Sequence, residues 1–234
     1  MKTLNRKYKI FLLGGNSLIG TSIVNGLKKR YENSEVVYVV RTNKNIHEKR
    51  IQVRNYKNFI DEVDQHIDST SRNIFVLSFG ILKEENFENN LLDNLSEHIK
   101  INSYEKIFLF NKLTNTKNFH EIHIVSSVLS TFFRPSIGSY SISKYVLSKS
   151  IAIEIFLNPN LQKKIFLWNP AFVNSKLNAD RKSFLIKTSP AQIENAVSSK
   201  SKGGDYYIPR YSKVVIKFIS LFQPLINKID KKVS

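Results

Sequence analysis

Two apolar patterns alternate along this chain: short runs that are apolar almost throughout, and longer stretches in which apolar residues recur every three or four positions. The runs are Tyr8 to Leu13, Val36 to Val40, Asn73 to Leu77, Ile122 to Ser127 and Ile165 to Trp168. A strand covered on both faces needs such a run, because successive side chains point to opposite sides and neither side meets water. Between them lie helical repeats, through Ile23, Leu27 and Tyr31, through Phe59, Val63 and Ile67, from Leu95 to Leu113, and from Tyr140 through Ile151 and Phe156 to Asn158-Pro159. Arg50 to Val53 and Tyr206 to Ile208 read as shorter strands. Ser189-Pro190-Ala191-Gln192 is a capping box with proline at the first helical position, which starts a helix reaching about Ser199. Buried strands alternating with helices predict an α/β fold, a Rossmann-like doubly wound parallel sheet. We assign residues 1–209 to a single domain of this kind and 210–234 to a helical tail.

The tail has a pattern of its own. From Tyr211 to Ile229 it places Val214, Val215, Phe218, Phe222, Leu225, Ile226 and Ile229 on one side, with Lys213, Lys217, Lys228, Lys231 and Lys232 around them, and Pro224 should kink or restart the helix. A basic amphipathic segment of this kind can lie in a membrane interface. It can equally pack on the domain or on another subunit, and the pattern leaves both readings open.

Composition narrows the setting. With 234 residues, 41% of them hydrophobic, the chain can enclose one sizeable core. No apolar stretch reaches the roughly eighteen residues of a membrane span, and the run from Ile10 to Leu13 is too short for a signal peptide. A cytosolic protein is the expectation. The absence of cysteine excludes disulfides, thiol catalysis and thiolate metal sites. Of the five histidines, only His120 and His123 lie close together, and an extended segment would turn them to opposite faces, so no metal site is expected. The net charge of +17 would suit an anionic partner. The basic residues, however, are spread along the whole chain, amid the abundance of Lys, Asn, Ile and Phe that an A/T-rich coding sequence produces. No basic recognition helix or aromatic-basic sheet motif is visible, and no nucleic acid partner is expected.

The candidate chemistry centres on Tyr140-Ser-Ile-Ser-Lys144. Residues four apart sit one above the other on a helix, so Lys144 can lie beneath the Tyr140 phenol. An ammonium held there favours the phenolate and draws a pKa near 10 toward neutrality, where proton donation and return are both quick. Tyr145 and Lys149 make the same pattern five residues later. Ser127 separates the two, lying thirteen residues before Tyr140 at the end of a buried strand, whereas the residue thirteen before Tyr145 is Phe132. A hydroxyl can bond a substrate carbonyl oxygen and a phenyl ring cannot.

Near the amino end, the first strand runs into Gly14-Gly15-Asn16-Ser17-Leu18-Ile19-Gly20 and then a helix. Glycines let backbone approach a pyrophosphate, and a helix start offers free N–H groups and partial positive charge. The spacing also suits a plain glycine turn. Arg41, Thr42 and Lys44 follow the second strand, where a dinucleotide fold meets the adenosine ribose. A carboxylate there would bond the ribose hydroxyl of NAD, whereas Arg41 would bind the 2′-phosphate of NADP, so NADP(H) is favoured somewhat over NAD(H). Arg41 as a solvated loop residue is the alternative. Asn102, within the long helical stretch, reads equally as a surface amide.

Taken together, these features resemble the short-chain dehydrogenase/reductase family over nearly the whole chain. Gly14 to Gly20 looks like its coenzyme turn, Leu77 to Gly80 like its Asn-Asn-Ala-Gly stretch, and Asn102, Ser127, Tyr140 and Lys144 like its catalytic tetrad. Pro170 to Ser175 looks like the Pro-Gly loop whose closing hydroxyl binds the nicotinamide carboxamide. Leu18 stands where a middle glycine is usual, Ala171 replaces the loop glycine, and Ser78 stands near an expected asparagine. The chain is still more similar to reductases of decaprenylphosphoryl-2-keto-ribose type, through Leu12-Leu13-Gly14-Gly15 with Ser17 and Gly20, Phe79-Gly80-Ile81-Leu82, and Lys202-Gly203 through Pro209 into the tail.

The resemblance implies reduction of a ketone to a secondary alcohol. Tyr140 would be the proton donor, Ser127 would bond the ketone oxygen, Lys144 would lower the Tyr140 pKa and bond the nicotinamide ribose, and Asn102 would hold a water linking Lys144 to solvent. It implies coenzyme contacts at Gly14, Asn16, Ser17, Leu18, Ile19, Gly20, Arg41, Asn55, Ser78, Gly80, Tyr140, Lys144, Pro170, Ala171, Val173 and Ser175. The substrate would be a keto-sugar on a polyprenyl phosphate, met at the inner face of the membrane, and the enzyme a homo-oligomer. The alternatives are a reductase of another ketone, such as a 3-oxoacyl thioester, and a dinucleotide-binding regulator without catalysis.

Overall fold

The computed structural model describes residues 7–41, 49–56, 58–67, 70–83, 91–174 and 186–222. Its centre is a seven-stranded sheet in which every pairing is parallel. The strands are β1 (Tyr8–Leu13), β2 (Ser34–Val40), β3 (Arg50–Gln52), β4 (Arg72–Leu77), β5 (Phe119–Val125), β6 (Ile165–Pro170) and β7 (Gly204–Ile208), and they lie side by side in the order β3-β2-β1-β4-β5-β6-β7. The strand order reverses between β1 and β4, which leaves a crevice above their carboxyl ends.

Both faces of the sheet are covered, as the unbroken apolar runs require. One face carries α2 (Phe59–His66), α4 (Glu105–Leu113) and α5 (Gly138–Leu157), over a core that includes Phe11, Leu13, Phe75, Leu77, Leu109, Ile124 and Leu147. The other carries α1 (Leu18–Arg30) and α6 (Pro190–Ser198), over Ile10, Leu12, Ile23, Leu27, Val76, Trp168 and Ile193. The capping box forms as expected, with Ser189 and Gln192 bonded reciprocally at the start of α6. The last described helix, α7 (Ser212–Ser220), packs Ile216 with Val128, Phe132 and Tyr207 beside the sheet's carboxyl edge.

One departure from the sequence pattern bears on the site. The single helix expected from Leu95 to Leu113 is α3 (Leu91–His98) running into α4 through a π-helical segment, Ile99–Tyr104, in which Glu105 N–H reaches back five residues to the Lys100 carbonyl. The wider turn adds a residue without shifting the core stripe of α4, and such segments recur at functional sites.

At the opposite edge of the sheet, the end of α1 is tied to β5 and β6 by a buried polar network. Arg30 and the Tyr31 hydroxyl both donate to the Glu121 carboxylate, at 2.9 and 2.7 Å. Trp168 Nε1 donates to His123 Nδ1 at 3.0 Å, so the His123 proton sits on Nε2 and points to Glu121 Oε2 at 3.2 Å. His120 and His123 therefore both belong to a structural cluster around Glu121.

Candidate active site

The site is assembled at the carboxyl ends of β1, β4, β5 and β6, around a cleft of about 1150 Å³. β1 is followed by Gly14, whose φ of +96° is open to glycine, and a side chain there would collide with the Phe79 backbone. The chain then turns into α1, capped by Ser17 Oγ accepting from Gly20 N–H at 3.1 Å. Asn16, Ser17, Leu18 and Ile19 line the cleft, so the first turn of α1 presents its unpaired N–H groups there. No acidic residue in that turn opposes an anion, and Lys28, Lys29 and Arg30 sit at the other end of the helix dipole.

Arg41, at the end of β2, lines the same end of the cleft and stands 5.5 Å from the Tyr56 ring centroid. Arg54 and Tyr56 join it there. Neither was singled out in the sequence, and a second arginine just beyond β3 is the signal that could have found it. Asn55 is different. It is exposed, does not line the cleft, and its side-chain oxygen accepts from Asn58 N–H at 3.0 Å in the turn before α2. That bond holds its side chain in the turn, outside the cleft wall where a coenzyme contact is expected of it.

At the other end, β5 delivers Ser127 and α5 delivers Tyr140 and Lys144 into one cavity. Ser127 Oγ accepts from Leu129 N–H at 3.2 Å, which fixes the oxygen and leaves its proton to donate. Lys144 is buried, with Nζ 5.3 Å from the Tyr140 ring centroid and 3.5 Å from the Val125 carbonyl oxygen. Burial draws the Lys144 pKa down to about 8, and a hydrogen bond with Lys106 opposes that shift. Tyr145 and Lys149 make an equivalent contact at 5.4 Å, but Tyr145 is 52% exposed and outside the cleft.

Asn102 lies in the interior. It is fully buried, so it is no surface amide. Its side chain clamps the chain after β4, with Oδ1 accepting from Ile81 N–H at 2.8 Å and Nδ2 donating to the Ile81 carbonyl at 2.9 Å and to Ser143 Oγ at 3.2 Å. Both amide protons are thus committed to protein, and the side chain acts as a staple between that loop, the π segment and α5. Gly80 packs against it; a Cβ there would lie 2.9 Å from Asn102 Oδ1.

Gly20, expected among the coenzyme contacts, lies on the sheet side of α1. It is buried and does not line the cleft; a Cβ at Gly20 would fall 2.3 Å from Ser78 Oγ and 2.7 Å from Leu12 Cδ1. It allows α1 to approach the sheet, and Ser78 Oγ donates to the Leu13 carbonyl at 3.1 Å beside it. Ser78, Gly80, Pro170, Ala171 and Val173 line the cleft, while Ser175 lies outside the described residues. Phe132, Arg134, Ile186, Ile216 and Ile219 complete its wall beyond Tyr140.

No family model matches the sequence, and no curated protein matches it. Solved structures do. A short-chain dehydrogenase from Burkholderia cenocepacia in complex with NADP is 13% identical with a TM-score of 0.72, over 93% of this chain and 94% of that one. The chain has the short-chain dehydrogenase fold. In the same fold, a 3-oxoacyl-acyl-carrier-protein reductase from Brucella melitensis in complex with NAD is 14% identical, with a TM-score of 0.66 over 84% of this chain and 90% of that one. An aldohexose dehydrogenase from Thermoplasma acidophilum is also 14% identical, with a TM-score of 0.62 over 85% and 88% of the two chains.

Proposed function

We propose that this protein is an NAD(P)-dependent oxidoreductase that reduces a ketone to a secondary alcohol. The observation that carries this reading is one continuous cleft with the start of α1 at one end and Ser127, Tyr140 and Lys144 at the other. Its volume exceeds the usual range for a single small ligand, which suits a dinucleotide with a substrate beside it. When bound, the nicotinamide would supply the hydride. The protein's part is to hold and move a proton: Ser127 donates a hydrogen bond to the ketone oxygen, Tyr140 gives that oxygen its proton, and the buried Lys144 ammonium favours the phenolate left behind. Lys144 would also be within reach of the nicotinamide ribose. Titration calorimetry with NADPH and NADH tests the coenzyme, and loss of NADPH absorbance with a panel of ketones tests the reaction. Failure to bind either coenzyme would refute the proposal and leave a fold without its usual ligand.

Arg41 and Arg54 favour NADP(H), because two guanidinium groups at the adenosine end can share a 2′-phosphate. For the substrate we propose a keto-sugar on a polyprenyl-phosphate carrier. The cleft beyond Tyr140 is walled by Phe132, Ile137, Ile186, Ile216 and Ile219 with Arg134 among them, a setting for an apolar chain and an anionic group. Beside its mouth, α7 and the residues flanking it expose Tyr211, Val214, Phe218, Leu221 and Phe222 together with Lys213 and Lys217, which supports contact with an anionic membrane face. Among the described residues, no helix is long and apolar enough to cross a membrane. Flotation with anionic liposomes tests the contact, with binding expected at low salt and release at high salt. A protein that stays with the soluble fraction at low salt would favour a diffusible ketone, such as a 3-oxoacyl thioester. The exposed stripe Ile142, Tyr145, Ile153 and Phe156 along α5 supports pairing with a second copy, which sedimentation would show.

A further inference from the structure

We propose that Lys106 is a positioning residue for Lys144, its amine accepting a hydrogen bond from the Lys144 ammonium and holding that ammonium beside the Tyr140 ring. The inference rests on the oxidoreductase reading above for the role of Lys144. Lys106 lies four residues after Asn102, at the start of α4, and is fully buried. Its Nζ donates to the Val125 carbonyl at 2.9 Å, and Lys144 Nζ approaches the same oxygen at 3.5 Å. One carbonyl thus serves two amines, two residues before Ser127.

No carboxylate among the described residues pairs with either lysine. From α5, Lys106 faces Lys144, with Tyr140 beyond it and His98 edge-on to the Tyr140 ring at 6.2 Å. From the loop after β4 it faces the Phe79 ring at 5.3 Å, which is stacked on Tyr56, with Arg41 behind. On its own helix the neighbouring Glu105 acts on Tyr56. Two ammonium groups cannot both stay charged in such a place without a counter-charge. Burial and the charge of Lys144 hold the Lys106 pKa well below the usual lysine range, whereas the hydrogen bond with Lys106 raises that of Lys144. The pair therefore keeps one proton, on Lys144, and the lone pair freed on Lys106 is the acceptor that proton needs. Lys106 has no opening to solvent, so it orients and does not relay.

The test reads the Lys144 titration directly, in coenzyme-free full-length protein carrying carbon-13 at lysine Cε, with the signal assigned by its loss in Lys144→Met. In wild type the midpoint is expected near 8. Lys106→Met removes the acceptor, and the midpoint should fall by about one unit or more, on the scale of a lost hydrogen bond to a charged group. Lys106→Gln keeps a neutral acceptor oxygen and should hold the midpoint between the two. A rise in either variant would mean that Lys106 was itself charged and repelling Lys144, and would overturn the proposal. An unchanged midpoint in Lys106→Met would overturn it as well; if that variant does not fold, a midpoint in Lys106→Gln above the wild-type value remains the refuting result. NADPH titration of the wild type, run alongside, separates failure of this pairing from failure of the oxidoreductase reading.

Discussion

Gly20→Ala is a one-carbon change whose cost can be worked from the structure. The new methyl would lie 2.3 Å from Ser78 Oγ, 2.8 Å from Ser78 Cβ and 2.7 Å from Leu12 Cδ1. Rotating the Ser78 hydroxyl away relieves only the first of these and gives up its bond to the Leu13 carbonyl, worth about 1 kcal/mol. The Cβ contact remains, and Leu12 is fully buried, so α1 must lift from the sheet at an overpacking cost of roughly 1–3 kcal/mol. The expected loss is therefore about 2–4 kcal/mol by urea denaturation, or about 2–4 °C in Tm for each of those kcal/mol in a chain of this size. Because Gly20 lies beneath the cleft, coenzyme binding should weaken indirectly, through displacement of the first turn of α1. Removing the opposing side chain tests this account: Gly20→Ala with Ser78→Gly should be less destabilised than the sum of the single changes by about 1 kcal/mol or more, and should recover part of the coenzyme affinity. Additive costs, or a Gly20→Ala protein within about 0.5 kcal/mol of wild type, would refute the close approach of α1 to β4.

Other outcomes follow from the same geometry. Tyr140→Phe should lower the turnover of a ketone substrate roughly a hundredfold or more, the range contributed by general acids, while Tyr145→Phe should be mild, as steady-state kinetics on both would show. Arg41→Ala and Arg54→Ala should each weaken NADPH binding about tenfold or more and leave NADH nearly unchanged, measured by calorimetry. Lys144 links stability to pH. Its folded pKa, about 8, lies below the ordinary 10.5, so the unfolded chain holds the proton more tightly, and stability is lowest below pH 8 and rises as pH climbs from there toward 10.5. Wild-type stability should gain about 1.4 kcal/mol more per pH unit in that window than Lys144→Met, and equal slopes in urea titrations at pH 8 and 9.5 would contradict a buried, depressed lysine.

The sheet was legible in the sequence because a strand buried on both faces leaves an apolar run that little else produces, and Tyr8 to Leu13 or Ile165 to Trp168 admitted no other period. The choice of Tyr140 over Tyr145 was available from Ser127, since position at a strand end limits which residues can share the cleft. Asn102 and Lys106 were harder. A polar residue in a helical stretch is expected at the surface, whereas both fall on the buried stripe that continues through Leu109 and Leu113. Gly20 and Asn55 were placed among the coenzyme contacts by resemblance, and the structure puts neither on the cleft wall: Gly20 lies on the sheet side of α1 against Ser78, and Asn55 bonds Asn58 N–H in a turn. The Glu121 network was hidden for a related reason, because its members come from α1, β5 and β6 and meet only when the sheet is assembled.

The π segment gives the chain one place that can absorb a length change. A residue added to or taken from an ordinary helix rotates everything beyond it by about 100°, since a turn holds 3.6 residues. The π turn already holds one residue more, so deleting one within Ile99–Tyr104 would close it to ordinary α-helix while α3 and α4 kept their phase, and Leu109 and Leu113 would stay on the sheet. The loss would be local, with Asn102 swinging off the Ile81 backbone. Single-residue deletions should therefore disturb folding less within those six residues than within α4, and should there cost the Asn102 clamp instead, a boundary that a scan of single-residue deletions would draw sharply.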